Sequence, residues 1–137
     1  MNFSLDNLSI GDKIPDLMIA PITRSTLALY AGASGDHNPI HIDFDFAKKV
    51  GMEDVFAQGM LIMAYLGRAL TNIIPQSNLK NLDTKFCSIT NIGDELTCSG
   101  KVSKVDDHNS KTIIVFDLIV ADEAGDIKIT GTASIEK

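Results

Sequence analysis

The sequence predicts an α+β fold in which an antiparallel sheet of about five strands surrounds one long helix. A single apolar helical segment occupies residues 57–73, and about four strand-like segments follow it. The strands are separated by short polar turns, which join antiparallel neighbours. A helix packed on a sheet is one of the few arrangements that bury the apolar faces of both elements.

Length and composition predict one folded domain. The chain has 137 residues, enough for a substantial core and too few for two ordinary domains. Hydrophobic residues make up 45% of the sequence and charged residues 22%, which is typical of a globular protein and not of a disordered one. We therefore expect residues 1–137 to form a single domain.

Net charge, hydropathy and cysteine spacing limit the binding partners and the cellular compartment that we expect. The net charge is −6 and the longest basic run is Lys48-Lys49, so a nucleic-acid partner is not expected. No basic and apolar leader is present, and the longest uncharged stretch, residues 55–67, is too short to span a membrane. Cys87 and Cys98 lack CxxC spacing, which favours buried thiols in a reducing cytoplasm. We expect a cytoplasmic protein with no membrane partner, no metal and no other cofactor.

The first half of the chain mixes a strand with short helices. Residues 13–22 alternate weakly between apolar and polar and predict a first strand. Thr23 can cap a helix that runs to residue 33. Asp43 can cap a second, short helix, which Gly51 stops. We expect the residues between the two helices to form a loop.

The longest helical candidate is the segment at residues 57–73, which Pro75 ends. Its residues are apolar nearly all round, so we expect the helix to be buried on every side. Gly59 and Gly67 would each weaken an exposed helix by about 1 kcal/mol. Their presence suggests that another group approaches the helix backbone closely.

Four strand-like segments complete the chain. In the third, alternate residues from Ile114 to Val120 are expected to face the core. In the last, the inward row runs from Ile127 to Ile135, and Lys128 belongs to the outward row. The four segments are residues 83–90, 95–105, 111–120 and 126–135.

The strongest chemical signal lies between Tyr30 and Asp43, in the stretch YAGASGDHNPIHID. Asp36 and His41 stand on either side of Asn38-Pro39, and a residue before proline is kept out of the helical region. The loop can therefore aim both side chains at one point, where a carboxylate and an imidazole form an acid/base pair. The alternative is that Asp36 caps a turn and His41 is a structural histidine.

A second signal stands at the start of the apolar helix, in Ala57-Gln58-Gly59-Met60. The first N–H groups of a helix have no partner within the helix and can stabilise a developing anion. A glycine at this point lets an oxygen approach closely. The alternative is a tight turn into the helix with no role in binding.

Together these segments resemble the MaoC-like, R-specific enoyl thioester hydratases and dehydratases. The loop YAGASGDHNPIHID is similar to the family's hydratase 2 motif, VFAQGMLIMAYLGRAL to the start of its central helix, and KITGTASI to its closing strand. The resemblance covers almost the whole chain in order. It implies the hot dog fold, a long helix wrapped in an antiparallel sheet, with two or more copies assembled and the active site at their interface.

The resemblance also implies a reaction and the residues that carry it. Water adds to a trans-2-enoyl thioester of coenzyme A or acyl carrier protein, or leaves an (R)-3-hydroxyacyl thioester, in fatty acid metabolism. Asp36 and His41 are implied to be the catalytic pair that holds the water, with Asn38 orienting the loop. The Gly59 N–H is implied to bind the thioester carbonyl. The acyl tail is expected to run near Met63, Gly67 and Leu70.

One position departs from the family, and two other readings stay open. Gln58 stands where the family usually has histidine, a change that bears on substrate preference. A non-catalytic hot dog subunit that binds an acyl chain would not need Asp36, Asn38 and His41. A hot dog thioesterase usually has a carboxylate on or near the central helix, where the only charged residue here is Arg68. The sequence does not separate the two carriers.

Overall fold

A computed structural model describes residues 3–137 as a sheet of five strands with three α-helices. A short 3₁₀ turn lies between α1 and α2, and another between α3 and β2. The elements in chain order are β1 (Leu17–Ile19), α1 (Arg24–Ser34), the first 3₁₀ turn (Pro39–His41), α2 (Phe44–Lys49), α3 (Gly59–Thr71), the second 3₁₀ turn (Gln76–Asn78), β2 (Leu79–Phe86), β3 (Leu96–His108), β4 (Lys111–Asp122) and β5 (Ile127–Glu136).

The five strands form one antiparallel sheet in the order β1-β3-β4-β5-β2, which confirms the predicted fold class. The β3–β4 hairpin turns through Asn109 and Ser110, whose φ angles are 49° and 65°. Two residues with positive φ match the right-handed twist of paired strands, so β3 continues three residues past its predicted end at residue 105. Strands β1 and β2 lie at the two edges.

Helix α3 packs across the sheet against β2, β3, β4 and β5. It begins at Gly59 and ends at Thr71, two residues inside each predicted boundary. Its sheet-facing side chains are buried. The expectation of burial on every side is wrong for the single chain, because Met60 is 53% exposed and Ala64 and Arg68 are also exposed. Residues at a spacing of four share a helix face, and the sheet covers only the opposite face.

Capping side chains fix where the first two helices begin, as predicted. The Thr26 N–H donates to the Thr23 side chain at 3.2 Å, and the Phe46 N–H donates to Asp43 at 3.1 Å. Helix α1 ends at Gly35, whose φ of 77° is left-handed and whose N–H donates to the Ala31 carbonyl. The loop of interest therefore begins at a sharp helix end.

No helix within residues 3–137 has the length and apolar character needed to cross a membrane.

Strand β2 runs from Leu79 to Phe86, earlier than the predicted 83–90. The residues that follow leave the sheet and form a connection, residues 87–95, that we call the β2–β3 linker. Cys87 lies in this linker and is exposed, so the prediction of a buried thiol there is wrong. Cys98 is buried in β3, as predicted, and burial raises the pKa of its thiol to about 11. Strand β1 spans only three residues of the predicted ten.

Lys128 corrects the predicted outward face of the last strand. It is only 3% exposed, although Ile129, its neighbour in β5, also lies in the core. Its Nζ lies 2.9 Å from Asp126, 3.0 Å from Asp122 and 3.3 Å from Asp94. Alternation decides which face of the sheet a residue occupies, but it does not say what covers that face. Here the β2–β3 linker covers the ammonium.

The carboxylates around Lys128 link folding to pH. Burial alone would lower the pKa of Lys128, but hydrogen bonds to the three carboxylates outweigh it and raise that pKa above its usual value. Hydrogen bonds from Lys128 in turn lower the pKa of Asp122 and of Asp126. A carboxyl group whose pKa is lower in the folded state stabilises the fold above its unfolded pKa. That stabilisation is lost as the pH falls through the folded pKa.

We expect the free energy of unfolding to fall as the pH is lowered below about 4. In Lys128→Met, Asp122 and Asp126 should return towards their ordinary pKa, so the fall should be shallower. Urea unfolding between pH 2 and 7 measures both. Lys101→Met is the matched control, an exposed lysine with no ion pair within the described chain. Equal pH dependence in the Lys128 variant and wild type would contradict this account.

Candidate active site

Hydrogen bonds from the backbone to the loop's own polar side chains fix the conformation of the loop after α1. The Asp36 N–H donates to Ser34 Oγ at 3.1 Å, the Asn38 N–H donates to Asp36 Oδ1 at 3.2 Å, and the Ile40 N–H donates to Asn38 Oδ1 at 3.1 Å. Each side chain thus accepts from the backbone two residues later, which fixes a succession of tight turns. Asp36 therefore does cap a turn through Oδ1, and its Oδ2 remains for another contact.

His41 is turned back against the start of the third helix. Its Nδ1 lies 2.7 Å from the Phe56 carbonyl oxygen, and the two rings meet edge to face with centroids 5.1 Å apart. A carbonyl oxygen can only accept, so Nδ1 carries the proton and Nε2 of the neutral ring is left as an acceptor. The side chain is 11% exposed. Packing and this hydrogen bond hold the ring in one orientation.

The free atoms of Asp36 and His41 face each other across a short gap. Asp36 Oδ2 lies 3.9 Å from His41 Nε2. That distance is too long for a direct hydrogen bond, and one water molecule can bridge it. The pair therefore offers a carboxylate and an imidazole acceptor to the same small molecule. The other two histidines, His37 and His108, are exposed.

The start of α3 supplies hydrogen-bond donors. No acceptor within residues 3–137 pairs with the N–H of Gly59 or of Met60. These are the free donors that every helix has in its first turn. A Cβ on Gly59 would lie 3.1 Å from the ring of Phe86, so glycine is the residue that fits between the helix and that ring. The ring of Phe86 therefore approaches the backbone at Gly59 more closely than a larger residue would allow.

Gln58 ties two helices together. Its side chain is completely buried, and Nε2 donates to the Leu27 carbonyl of α1 at 3.0 Å. Its Oε1 is buried with no hydrogen-bond partner in the described part of the chain, as is Thr90 Oγ1. The residue thus holds the beginning of α3 against the helix that precedes the Asp36 loop.

A cavity of about 320 Å³ lies beside the first turn of α3. Its wall is mostly apolar and includes Phe56, Gly59, Ile62, Phe86 and Thr90. Such volume and lining are typical of a small ligand site. A second cavity of about 290 Å³ has His41 in its wall. Phe56 joins the two regions, because its carbonyl anchors His41 while the residue also lines the first cavity.

The residues predicted for the acyl tail lie further along α3. Leu70 is completely buried in the core. Met63 is half-buried and accepts a hydrogen bond at 3.3 Å from Thr84 of β2. A Cβ on Gly67 would lie 3.8 Å from Leu82, also in β2. Met63 and Gly67 face β2, and none of the three residues lines the cavity beside Gly59. Their role in holding an acyl chain stays a prediction.

Three residues of the region were missed by sequence reasoning. Phe56 had a local signal, since it directly precedes Ala57-Gln58-Gly59. Phe86 and Thr90 had none. They reach the start of α3 because β2 and the β2–β3 linker pack beside it, and such a contact between distant segments leaves no pattern in either segment. No group of three or more histidine, cysteine or acidic side chains in residues 3–137 has the arrangement of a metal site.

The family of the chain follows from a match along most of its length. The model of the MaoC like domain matches residues 8–123. The chain belongs to the MaoC-like domain family. It is 27% identical over 109 residues to the mitochondrial 3-hydroxyacyl-[acyl-carrier-protein] dehydratase of Arabidopsis thaliana, covering 80% of this chain and 64% of the relative.

Two further comparisons agree with the MaoC-like assignment. An (R)-specific enoyl-CoA hydratase of Rhodospirillum rubrum is 31% identical over 84 residues, which are 60% of this chain and 58% of that protein. The unliganded R-hydratase PhaJ1 of Pseudomonas aeruginosa superposes with a TM-score of 0.82 at 26% identity, covering 93% of this chain and 81% of the other. The hot dog fold implied by the resemblance is thereby confirmed.

The hydrogen bond to Phe56 predicts the tautomer of His41. We expect the neutral ring to carry its proton on Nδ1, because the Phe56 carbonyl accepts there. Long-range ¹H–¹⁵N NMR at a pH where the ring is neutral measures this. His37 and His108 are internal references, since no ring hydrogen bond fixes either within the described chain. Protonation of His41 on Nε2 would contradict the geometry.

Proposed function

We propose that this MaoC-like protein is a hydro-lyase that hydrates trans-2-enoyl thioesters to (R)-3-hydroxyacyl thioesters and catalyses the reverse dehydration, in fatty acid metabolism. The single observation that carries the proposal is the arrangement of Asp36 and His41. A carboxylate oxygen and a neutral imidazole nitrogen, 3.9 Å apart, can share one water. The relatives named hydratases and dehydratases support the reaction class.

In this proposal His41 Nε2 accepts a proton from the water while the water oxygen bonds to C3 of the enoyl group. The Phe56 carbonyl, 2.7 Å from Nδ1, stabilises the positive charge that the ring gains. The C2–C3 double bond opens towards the thioester. The proton that His41 took from the water then passes to C2 with the help of Asp36, and the ring returns to its neutral form. The sum is the addition of one water. Both new bonds form on the face of the substrate that meets the pair, so the addition is syn.

Negative charge develops on the thioester oxygen as C3 is attacked. The Gly59 N–H, free at the start of α3, is the proposed donor for that oxygen. One such donor typically lowers the barrier by roughly 3–4 kcal/mol. Asn38 supports the arrangement from the other side, because its side chain holds the turn that carries His41. The cavity beside Gly59 gives the carbonyl region an apolar surrounding, which strengthens the hydrogen bond.

The substrate carrier is coenzyme A or acyl carrier protein, and the acyl tail is proposed to pass Met63, Gly67 and Leu70. We also propose that the chain assembles as a homodimer. Strand β2 is an edge strand with unpaired backbone groups. Its last residue, Phe86, and Met60 at the start of α3 are exposed. A second copy would cover these apolar side chains.

The proposed acid/base pair predicts the effect of two conservative variants. Asp36→Asn and His41→Gln should each lower kcat/KM for crotonyl-CoA by at least about 100-fold, because each removes a proton-transfer group. Loss of enoyl absorbance measures the rate. Asp117→Asn and His108→Gln are the matched controls, since both side chains are exposed and neither lies in the site. Activity retained by both site variants would contradict the mechanism.

The same assay separates the competing functions. Wild type should consume the enoyl signal without releasing thiol, and the protein should sediment as a dimer. Thiol release detected with a disulfide reagent would indicate a thioesterase. Absence of both reactions with crotonyl, hexenoyl and decenoyl thioesters of either carrier would favour an acyl-binding subunit without activity.

The close contact at Gly59 predicts a second loss of activity. In Gly59→Ala the new Cβ would lie 3.1 Å from the Phe86 ring, so ring or helix must shift and the carbonyl loses room beside the N–H. We expect kcat to fall about 100-fold. Gly32→Ala is the control, because a Cβ at that helical glycine of α1 meets nothing within 4 Å. It should keep full activity, and an equally active Gly59→Ala would contradict the role of this N–H.

A further inference from the structure

We propose that Lys128 is a positioning residue that holds the carbonyl-binding half of the site in place. It does not form an ion pair with Asp36 or His41, and it lies in the wall of the cavity beside Gly59. The inference rests on the proposed function for its catalytic consequence. Its structural part rests on a series of contacts that runs from β5 through the β2–β3 linker to the start of α3.

The first contact fixes Lys128 to the rigid end of the sheet. Its Nζ lies 3.0 Å from Asp122, the last residue of β4, and 2.9 Å from Asp126, in the turn before β5. Asp122 is itself held, because its carboxylate accepts the backbone N–H groups of Ala124 and Asp126. The ammonium therefore occupies a fixed point on the paired strands β4 and β5.

The second contact joins that fixed point to the β2–β3 linker. The Lys128 Nζ donates to the Ile89 carbonyl at 3.0 Å and lies 3.3 Å from Asp94. Ser88 adds to this attachment, since its hydroxyl lies 2.7 Å from Asp126 and 3.0 Å from the Ile127 carbonyl. Backbone pairing with β5 ends where the Cys87 N–H donates to the Lys128 carbonyl at 2.9 Å, and beyond Ser88 these side-chain contacts hold the linker.

The third contact joins the linker to the residues before α3. The Ala57 N–H donates to the Thr90 carbonyl at 2.9 Å, and Phe56 pairs with Asn91 in an isolated antiparallel bridge. Phe56 provides the carbonyl that holds His41, and Gly59 provides the proposed thioester donor. Both halves of the proposed site thus depend on residues 56–59. Lys128 holds the β2–β3 linker, to which these residues are hydrogen-bonded.

The chemistry of the cluster agrees with a positioning role. Burying an ammonium is costly, and replacing a buried ion pair by well-packed apolar groups is often neutral or stabilising. The buried ion pairs of Lys128 stabilise the fold relative to a chain with unpaired carboxylates, but an apolar cluster of the same volume could serve that purpose as well. What its several hydrogen bonds supply is a defined position for the Ile89 carbonyl, which an apolar side chain could not bind.

Amide exchange tests the structural part directly. Lys128→Met keeps a long, unbranched side chain and removes the charge, while Lys128→Arg keeps the charge and can donate to the same carboxylates. Lys101→Met is the control at an exposed lysine. We expect the exchange rate of the Ala57 N–H to rise about 10–100-fold in Lys128→Met, while the amides of Leu66 and Leu70 in α3 stay protected. An equal rise at all three amides would indicate global destabilisation and overturn the proposal, as would unchanged exchange at Ala57.

Kinetics tests the catalytic part at a temperature where every variant is folded. Lys128→Met should lower kcat for crotonyl-CoA about 10–100-fold with little change in KM, because a small displacement of the carbonyl donor costs transition-state stabilisation. Lys128→Arg should recover most of the loss. Unchanged kcat in Lys128→Met, or no recovery in Lys128→Arg, would overturn the catalytic role.

The two measurements also separate this inference from the proposed function. A wild-type protein that hydrates no enoyl thioester would overturn the proposed function and the catalytic role of Lys128 with it. The exchange rates of Ala57, Leu66 and Leu70 would still decide whether Lys128 holds residues 56–59.

Discussion

The hydrogen bond between His41 and the Phe56 carbonyl is the contact on which the site depends. It joins two segments that are built separately, the self-capped loop after α1 and the residues that precede α3. It also fixes which nitrogen of the ring can accept a proton. Without it the imidazole would have no hydrogen bond to the segment that leads to Gly59. The rest of the fold serves to hold both ends of this bond still.

Local signals in the sequence account for the parts of the fold that are determined locally. Thr23 and Asp43 begin the helices that they were predicted to begin, since a cap is decided by a side chain and the backbone two or three residues away. Period-two alternation likewise identified the buried row of β4. The resemblance to a known family predicted more than these local signals. It extends over nearly the whole chain and so carries information that no single segment contains.

What the sequence could not predict is decided by packing between distant segments. Lys128 fits the outward row of β5 by alternation, yet the β2–β3 linker covers it and three carboxylates surround it. Cys87 was expected in a strand, but the chain leaves the sheet after Phe86. The exposed face of α3 illustrates the same limit, since an apolar helix shows what could be buried and not how many surfaces are available to bury it.

The two side chains of the proposed acid/base pair differ in solvent exposure, and this difference distinguishes their roles. In the single chain the Asp36 side chain is 43% exposed and that of His41 is 11% exposed. In the proposed hydration, the imidazole holds the proton taken from the water. It is the more buried of the two groups and is anchored on the Phe56 carbonyl. Asp36, the more exposed, is the member of the proposed pair that meets solvent.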